Sequence, residues 1–293
     1  MDTLHDFTEQ FGTEKQCLDY LYSLRWPDGY RCPRCYHNEA WQIKEWKYKC
    51  RKCGYQATVL AGTLFQDTHL PITTWFKAIW YVCSQTGGTN ALDLQKVLGL
   101  GSYRTAWTIL LKTRKLMADN APKKLGKCVI VNLYSVHRSD RAKNVRLMIA
   151  AELQQDGAID NICMDILPDI YYETRIAFIR EHVKRGSVLV TVQNPQLLSM
   201  LVRDYSLAKM PLQKYEKQHL FPPICSVVQY LEENGLFGTQ PLSSSTEQRK
   251  SYLDECCYKF NRRNATAAEM FEEILYSAVR TDPLTYHGIL VQK

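Results

Sequence analysis

No stretch of this chain is apolar over the ~20 residues needed to cross a bilayer, and Met1 to Glu14 is polar and acidic where a secretory leader would be basic and then apolar. The expectation is a cytoplasmic protein with no membrane partner. Glycine (14) and proline (11) are too sparse among 293 residues for a collagen-like or low-complexity chain. Apolar residues at 45% and charged residues at 23% exclude a disordered composition. Acid is scarce at one end: residues 1–125 hold 17 Lys and Arg against 11 Asp and Glu, whereas residues 126–293 hold 20 against 19. Most of the net charge of +7 therefore belongs to the N-terminal part, where a footprint for phosphates is expected.

A chain of this length in a reducing compartment does not need disulfide staples, and its eleven cysteines are an odd number. Cys17, Cys83, Cys128, Cys163, Cys225, Cys256 and Cys257 fall mostly in apolar stretches and read as small hydrophobes. The other four form two knuckles, Cys32-Pro-Arg-Cys35 and Cys50-Arg-Lys-Cys53. Two CxxC turns in that spacing offer four thiolates to one tetrahedral zinc, with room for a hairpin between them and Gly54 for the tight turn after the second. Four protein ligands close the shell, so the expected Zn2+ is structural, and His37 and His69 are not needed as ligands. This is the form of a zinc ribbon, and it points to nucleic acid.

Three segments separate along the chain: 1–70, a helical lead-in (Thr13 to Leu24) and the ribbon; 71–122, three helices; and 123–293, strands first and helices later, after the basic Lys123-Lys-Leu-Gly-Lys127. Trp75, Ile79, Trp80 and Cys83 mark the first helix of the middle segment. Asn90 caps the second, which carries Leu94, Val97 and Leu98 inward until Gly99 and Gly101 stop it. Ser102 caps the third, with Trp107, Leu110 and Met117 as its apolar face. Helix, glycine turn, helix is the sequence form of a helix-turn-helix. Arg104, Thr108, Lys112 and Lys115 recur at i, i+4, i+8 and i+11, one stripe of the third helix. With Ser102, Tyr103 and the knuckle residues Arg34, Arg51 and Lys52 they are the candidate DNA contacts.

From Cys128 onward, Val129–Val136, Arg146–Leu153 and Ile159–Leu167 read as successive strands. Asp169 is expected to cap a helix burying Tyr172, Ile176, Ile179 and Val183, and Ser187–Val192 is a fourth strand. A helix over Leu197–Tyr205 and two more over about Thr246–Phe260 and Thr266–Val279 follow. That order is compatible with an RNase H-like α/β unit, making the whole a multidomain α/β chain of zinc ribbon, helix-turn-helix and RNase H-like domain.

In this arrangement the chain resembles the bacterial insertion-sequence transposases that join an N-terminal zinc ribbon to a DDE catalytic domain, a group related to the Merlin transposons. The resemblance is carried by Leu24-Arg-Trp-Pro-Asp-Gly29, the two knuckles, Gly62-Thr-Leu-Phe65, Thr68-His-Leu-Pro71, Trp75-Phe-Lys-Ala-Ile-Trp80, Leu98-Gly99 and Ser102-Tyr-Arg-Thr-Ala-Trp107. Tyr252-Leu-Asp-Glu255 and Phe260-Asn-Arg-Arg263 carry it near the C-terminus. It implies a double-stranded DNA partner, a nucleoid-associated protein, a homodimer and a place among other proteins of a nucleoprotein complex.

The chemistry of a DDE domain rests on two divalent ions held by carboxylates. The family's first strand carries an Asp-Glu pair before Thr-Tyr; with Tyr134 as anchor, Val131 and Asn132 stand there. The second aspartate is replaced by Val192, followed by Gln193. Counting back from Gly238-Thr239, Leu231 takes the third ligand position and Glu233 that of the lysine after it. No catalytic Mg2+ is therefore expected, and the chain reads as a DNA-binding pseudo-transposase rather than an enzyme. The competing reading is an active DDE transposase with ligands relocated among Glu152, Asp160, Asp165 and Asp169. Asp254 and Glu255 match the family and read as structural.

Overall fold

The computed structural model describes residues 4–136, 145–191, 199–208, 222–233 and 246–284. In chain order they begin with α1 (Leu4–Phe11), α2 (Glu14–Arg25), β1 (Ala40–Lys44), β2 (Lys47–Cys50), β3 (Gln56–Thr58), α3 (Ile72–Ser84), α4 (Ala91–Leu98) and α5 (Tyr103–Asp119). They continue with β4 (Cys128–Val136), β5 (Val145–Leu153), β6 (Ile159–Ile166), α6 (Tyr172–His182), β7 (Val188–Thr191), β8 (Ser206–Ala208), α7 (Pro222–Glu233), α8 (Thr246–Asn261) and α9 (Ala267–Ala278). The chain divides into two compact units: Met1–Gln85, Thr89–Met117 and Asn264–Lys293 form one, and Thr86–Gly88 with Ala118–Arg263 the other.

In the first unit the helices are set by their ends. Thr13 and Gln16 close a capping box on α2, and Thr266 and Glu269 close another on α9. Pro71, at the start of α3, has no side chain to cap with; the Glu14 carboxylate replaces it, accepting from the backbone N–H of Ile72 (2.8 Å) and Thr73 (3.2 Å). Asn90 caps α4 through the Asp93 N–H at 2.8 Å, and Gly99, at φ 62°, ends it in the left-handed conformation with Leu100 N–H returning to Gln95 O. The core is aromatic. Phe271 of α9 lies 5.5–5.7 Å, ring to ring, from Phe7, Phe11, Phe76 and Trp80. Segment 71–122 is thus completed by a helix almost 150 residues further on.

Val97, expected to point inward, is 58% exposed. An eight-residue helix seats only Ala91 and Leu94 fully; Leu98, four residues after Leu94, is half-buried, and Val97 falls at the exposed margin of that face.

The second unit is a five-stranded sheet in the order β6-β5-β4-β7-β8. β4, β5 and β6 form an antiparallel meander; β7 and β8 add parallel to it on the far side of β4. Alternation along β4 divides the core. Val129 and Val131 face α6, with Met148, Ala150 and Leu189 beside them and Ile176, Phe178 and Ile179 above. Ile130, with Leu147, Ile149, Ile162 and Val190, faces Ile224, Val227 and Leu231 of α7 and Leu253, Cys256 and Phe260 of α8. β6 is an edge strand, and its outward backbone groups are satisfied by the end of α8. The Asn261 side-chain amide accepts from Ile162 N–H (2.7 Å) and donates to Ile162 O (3.1 Å), while Arg263 donates to the carbonyls of Asp160 and Ile159. The Phe-Asn-Arg-Arg run is therefore a clasp on a sheet edge.

Asp169 does not cap α6. Its carboxylate accepts from Tyr171 N–H at 3.0 Å, an Asx turn ahead of the helix, whose N-cap is Tyr171 with no side-chain bond. The helix expected over Leu197–Tyr205 falls partly outside the described residues; of the remainder, 199–201 are helical and the chain then turns into β8.

Candidate functional site

β1, β2 and β3 form an antiparallel sheet whose hairpins bring the two knuckles together. The knuckles share one backbone pattern. Cys32 N–H donates to His37 O and Tyr36 N–H to Cys32 O; in the second, Cys50 N–H donates to Tyr55 O and Gly54 N–H to Cys50 O. The fifth residue of each turn has a positive φ, 58° at Tyr36 and 70° at Gly54. The result is a sulfur cluster: Cys32 Sγ lies 3.6 Å from Cys53 Sγ, Cys35 Sγ lies 3.6 Å from Cys50 Sγ, and all four ligand atoms fall within 4.8 Å of one another.

These distances suit one ion, since thiolates ~2.3 Å from a tetrahedral zinc stand about 3.8 Å apart. Burial raises the Cys32 thiol, but the backbone N–H groups of Cys35 and Arg34 and its neighbouring sulfurs outweigh it and bring the pKa down to about 6. The four sulfurs cannot all ionise side by side without a cation, so the donor set fits Zn2+. Among the described residues this is the one group of three or more His, Cys, Asp or Glu side chains that converges in this way. Cys17, Cys83, Cys163, Cys256 and Cys257 are buried, and burial pushes the Cys17 and Cys163 thiols up to about 12, as suits small hydrophobes. Behind the ribbon, Tyr48 packs on Tyr22, Trp26 and Tyr30.

Of the candidate DNA contacts, Arg34, Arg51 and Lys52 are exposed on the knuckles, and Ser102, Tyr103 and Arg104 are exposed at the N-terminal end of α5. The stripe along α5 does not continue outward. Thr108 is half-buried and its hydroxyl donates to Arg104 O within the helix. Lys112 is half-buried, its Nζ 3.5 Å from Leu64 O and 5.6 Å from the Trp75 ring centroid, and burial lowers its pKa. Lys115 is also half-buried, and Ile109, Leu111, Thr113, Arg114 and Leu116 are buried beside the expected apolar face. The C-terminal half of α5 is a core helix. The long alkyl stem lets a lysine pack over a tryptophan, which charge type alone does not reveal.

The positions aligned with the family's carboxylates lie apart. Val131 is buried on the α6 face, whereas Leu231 is buried on the opposite face. Asn132 pairs with Ile149 and by alternation shares the face of Leu231; its Oδ1 is buried with no hydrogen-bond partner among the described residues. Glu233 is exposed and accepts from Gln229 at 2.7 Å. Val192 and Gln193 lie outside the described residues, as do Gly238 and Thr239; Thr191, the last described residue of β7, pairs with Val131. Of the alternative acids, Asp165 accepts from Ile166 N–H and lies 4.0 Å from Lys250, Asp160 accepts from Gln154 at 3.5 Å, and Glu152 sits on β5 opposite Val129. Glu255 is bonded within α8 to Lys259, which also donates to Gly87 O at 2.6 Å.

The described residues contain no helix long and apolar enough to cross a membrane. No curated protein matches the chain. Among solved structures, a chain of the simian T-cell lymphotropic virus intasome in complex with PP2A regulatory subunit B56 gamma aligns over 68% of this chain and 67% of its own at 8% identity, with a TM-score of 0.27, too low to inform the fold. Residues 12–56 match the transposase zinc-ribbon domain of the IS1595 type, so the segment holding the sulfur cluster is similar to the zinc ribbons of transposases.

Proposed function

We propose that this protein is a transposase-derived DNA-binding protein that does not cut DNA. The observation that carries the reading is the convergence of Cys32, Cys35, Cys50 and Cys53 inside a segment similar to transposase zinc ribbons. Zinc held there would cross-link the two knuckles and fix the ribbon; it would supply no reaction chemistry. Residues 1–70 would provide the ribbon and 71–122 a helix-turn-helix, a reading supported by the capped α4, the left-handed Gly99 and the exposed start of α5. Duplex phosphates would meet Arg34, Arg51 and Lys52, and Ser102, Tyr103 and Arg104 would approach the base edges.

In residues 123–293, the strand order β6-β5-β4-β7-β8, with a meander followed by parallel additions, supports an RNase H-like fold. Loss of cutting is supported by the apolar environments of Val131 and Leu231, each packed in a core cluster where a metal-bound carboxylate would be required. The domain would then serve assembly, as a homodimer or with other proteins on DNA. The test is to select duplex sequences bound by the full chain and incubate them with it in Mg2+ or Mn2+. Specific binding with intact strands is expected; metal-dependent nicking abolished by Asp165→Asn or Asp160→Asn would instead establish an active enzyme with relocated ligands.

A further inference from the structure

The solvent face of the ribbon sheet carries a feature that duplex binding does not use. Alternation puts Tyr48 and Ala57 on the inner face against Tyr22, Trp26 and Tyr30, and so puts Trp41, Lys47 and Lys49 on the outer one. Trp41 pairs directly with Lys49, and the Arg51 guanidinium lies over its ring at 5.6 Å from the centroid. Half of the Trp41 surface is nevertheless exposed. Each knuckle adds an exposed tyrosine, Tyr55 in the second and Tyr36, 74% exposed, in the first. Tyr36 occupies a left-handed position (φ 58°) that its counterpart Gly54 occupies at no cost, and with so little burial the strain is not offset by packing. Between residues 31 and 56 seven Lys and Arg face two Glu, a net +5.

The geometry points to a stacking platform for unpaired nucleotides: the outer face of β1 and β2 binds single-stranded nucleic acid, a base lying on Trp41 while Lys47 and Lys49 hold the adjoining phosphates. Charge alone would serve a duplex as well. A duplex, however, keeps its bases stacked inside and offers a flat exposed indole nothing to lie on, whereas any unpaired base offers a π-face. This assignment rests on the reading of the ribbon as a nucleic-acid-binding element and adds the strand state it prefers.

The test is fluorescence anisotropy with the zinc-loaded full chain, an end-labelled mixed-sequence single strand of about 12 nucleotides and the duplex of the same sequence, at two salt concentrations. The expected result is binding of the single strand, weakened roughly 5- to 100-fold by Trp41→Ala and little by Trp41→Phe, with zinc content unchanged. Lys49→Ala should lower the salt slope by about 0.7. If the duplex binds and Trp41→Ala leaves both titrations unchanged, the platform is overturned and the DNA-binding reading stands. Equal weakening by Trp41→Ala and Trp41→Phe would also overturn it, since the ring is kept in one. If neither nucleic acid binds, the DNA-binding reading falls too; loss of self-association in Trp41→Ala by sedimentation would then assign the face to a second copy of the chain.

Discussion

The wholly buried carboxylate of Glu255 lies 2.8 Å from Lys259 Nζ, one turn later on α8 and only 5% exposed. A buried pair of this kind tolerates the loss of one partner poorly, because the other is left charged in a medium that cannot solvate it. Glu255→Gln is expected to cost about 3–5 kcal/mol in denaturant unfolding. An unchanged midpoint would show that the carboxylate holds no structural role.

Cys50→Ser removes one of four donors. The expected outcome is loss of bound zinc and of ordered ribbon structure, read as zinc per chain and as collapsed amide dispersion for residues 31–58; a chelator should do the same to the parent protein. Full zinc content in the variant would rule out the four-sulfur site.

Arg104 and Lys112 should part company. Arg104→Ala is expected to weaken binding to a selected duplex and lower the salt slope by about 1, while Lys112→Ala, which strips a half-buried stem from Trp75 and Leu64, lowers stability and leaves the slope alone. A slope change in Lys112→Ala without destabilisation would return that residue to the binding surface.

The two knuckles provide an internal control on backbone strain. Tyr36→Gly relaxes a left-handed residue and Gly54→Ala imposes one, so the two are expected to shift ribbon stability by about 1 kcal/mol in opposite directions. Shifts of the same sign would contradict the shared geometry.

His182 packs on Phe178 at 4.5 Å, its Nε2 buried with no hydrogen-bond partner among the described residues, and burial lowers its pKa below the ordinary 6.5 despite Glu181 and Asp165 nearby. The unfolded chain therefore takes up the proton first. The stability tied to the neutral ring is fully present above about 6.5 and is lost as pH falls from there toward the folded pKa. His182→Phe is expected to flatten the fall in thermal midpoint below pH 6.5, and an unaltered profile would place the acid sensitivity elsewhere.

Much of this architecture can be read from residue order because its causes are local. The sulfur spacing, the Thr13, Asn90 and Thr266 caps, and the apolar-rich stretches of β4, β5, β6 and β7 each announce themselves within a few residues. What escaped depends on partners far along the chain. Leu4–Phe11 is too polar to look like a core helix until Phe7 and Phe11 meet Phe271. α7 begins at a double proline, which reads as a break although proline suits a first helical turn. Lys112 carries the charge of a surface residue on a buried face, and only the register of β4 reveals that Val131 turns toward α6, away from the face on which Leu231 of α7 packs.

The place of Phe271 also bears on the order in which this protein can be made. The helices of residues 4–119 and the helix of residues 267–278 share one aromatic core, with the whole five-stranded sheet encoded between them. On the ribosome the first unit would therefore emerge early and wait, its Phe7, Phe11, Phe76 and Trp80 uncovered, until translation has passed the sheet. A nascent chain would thus hold its zinc knuckles long before it has a finished body to carry them.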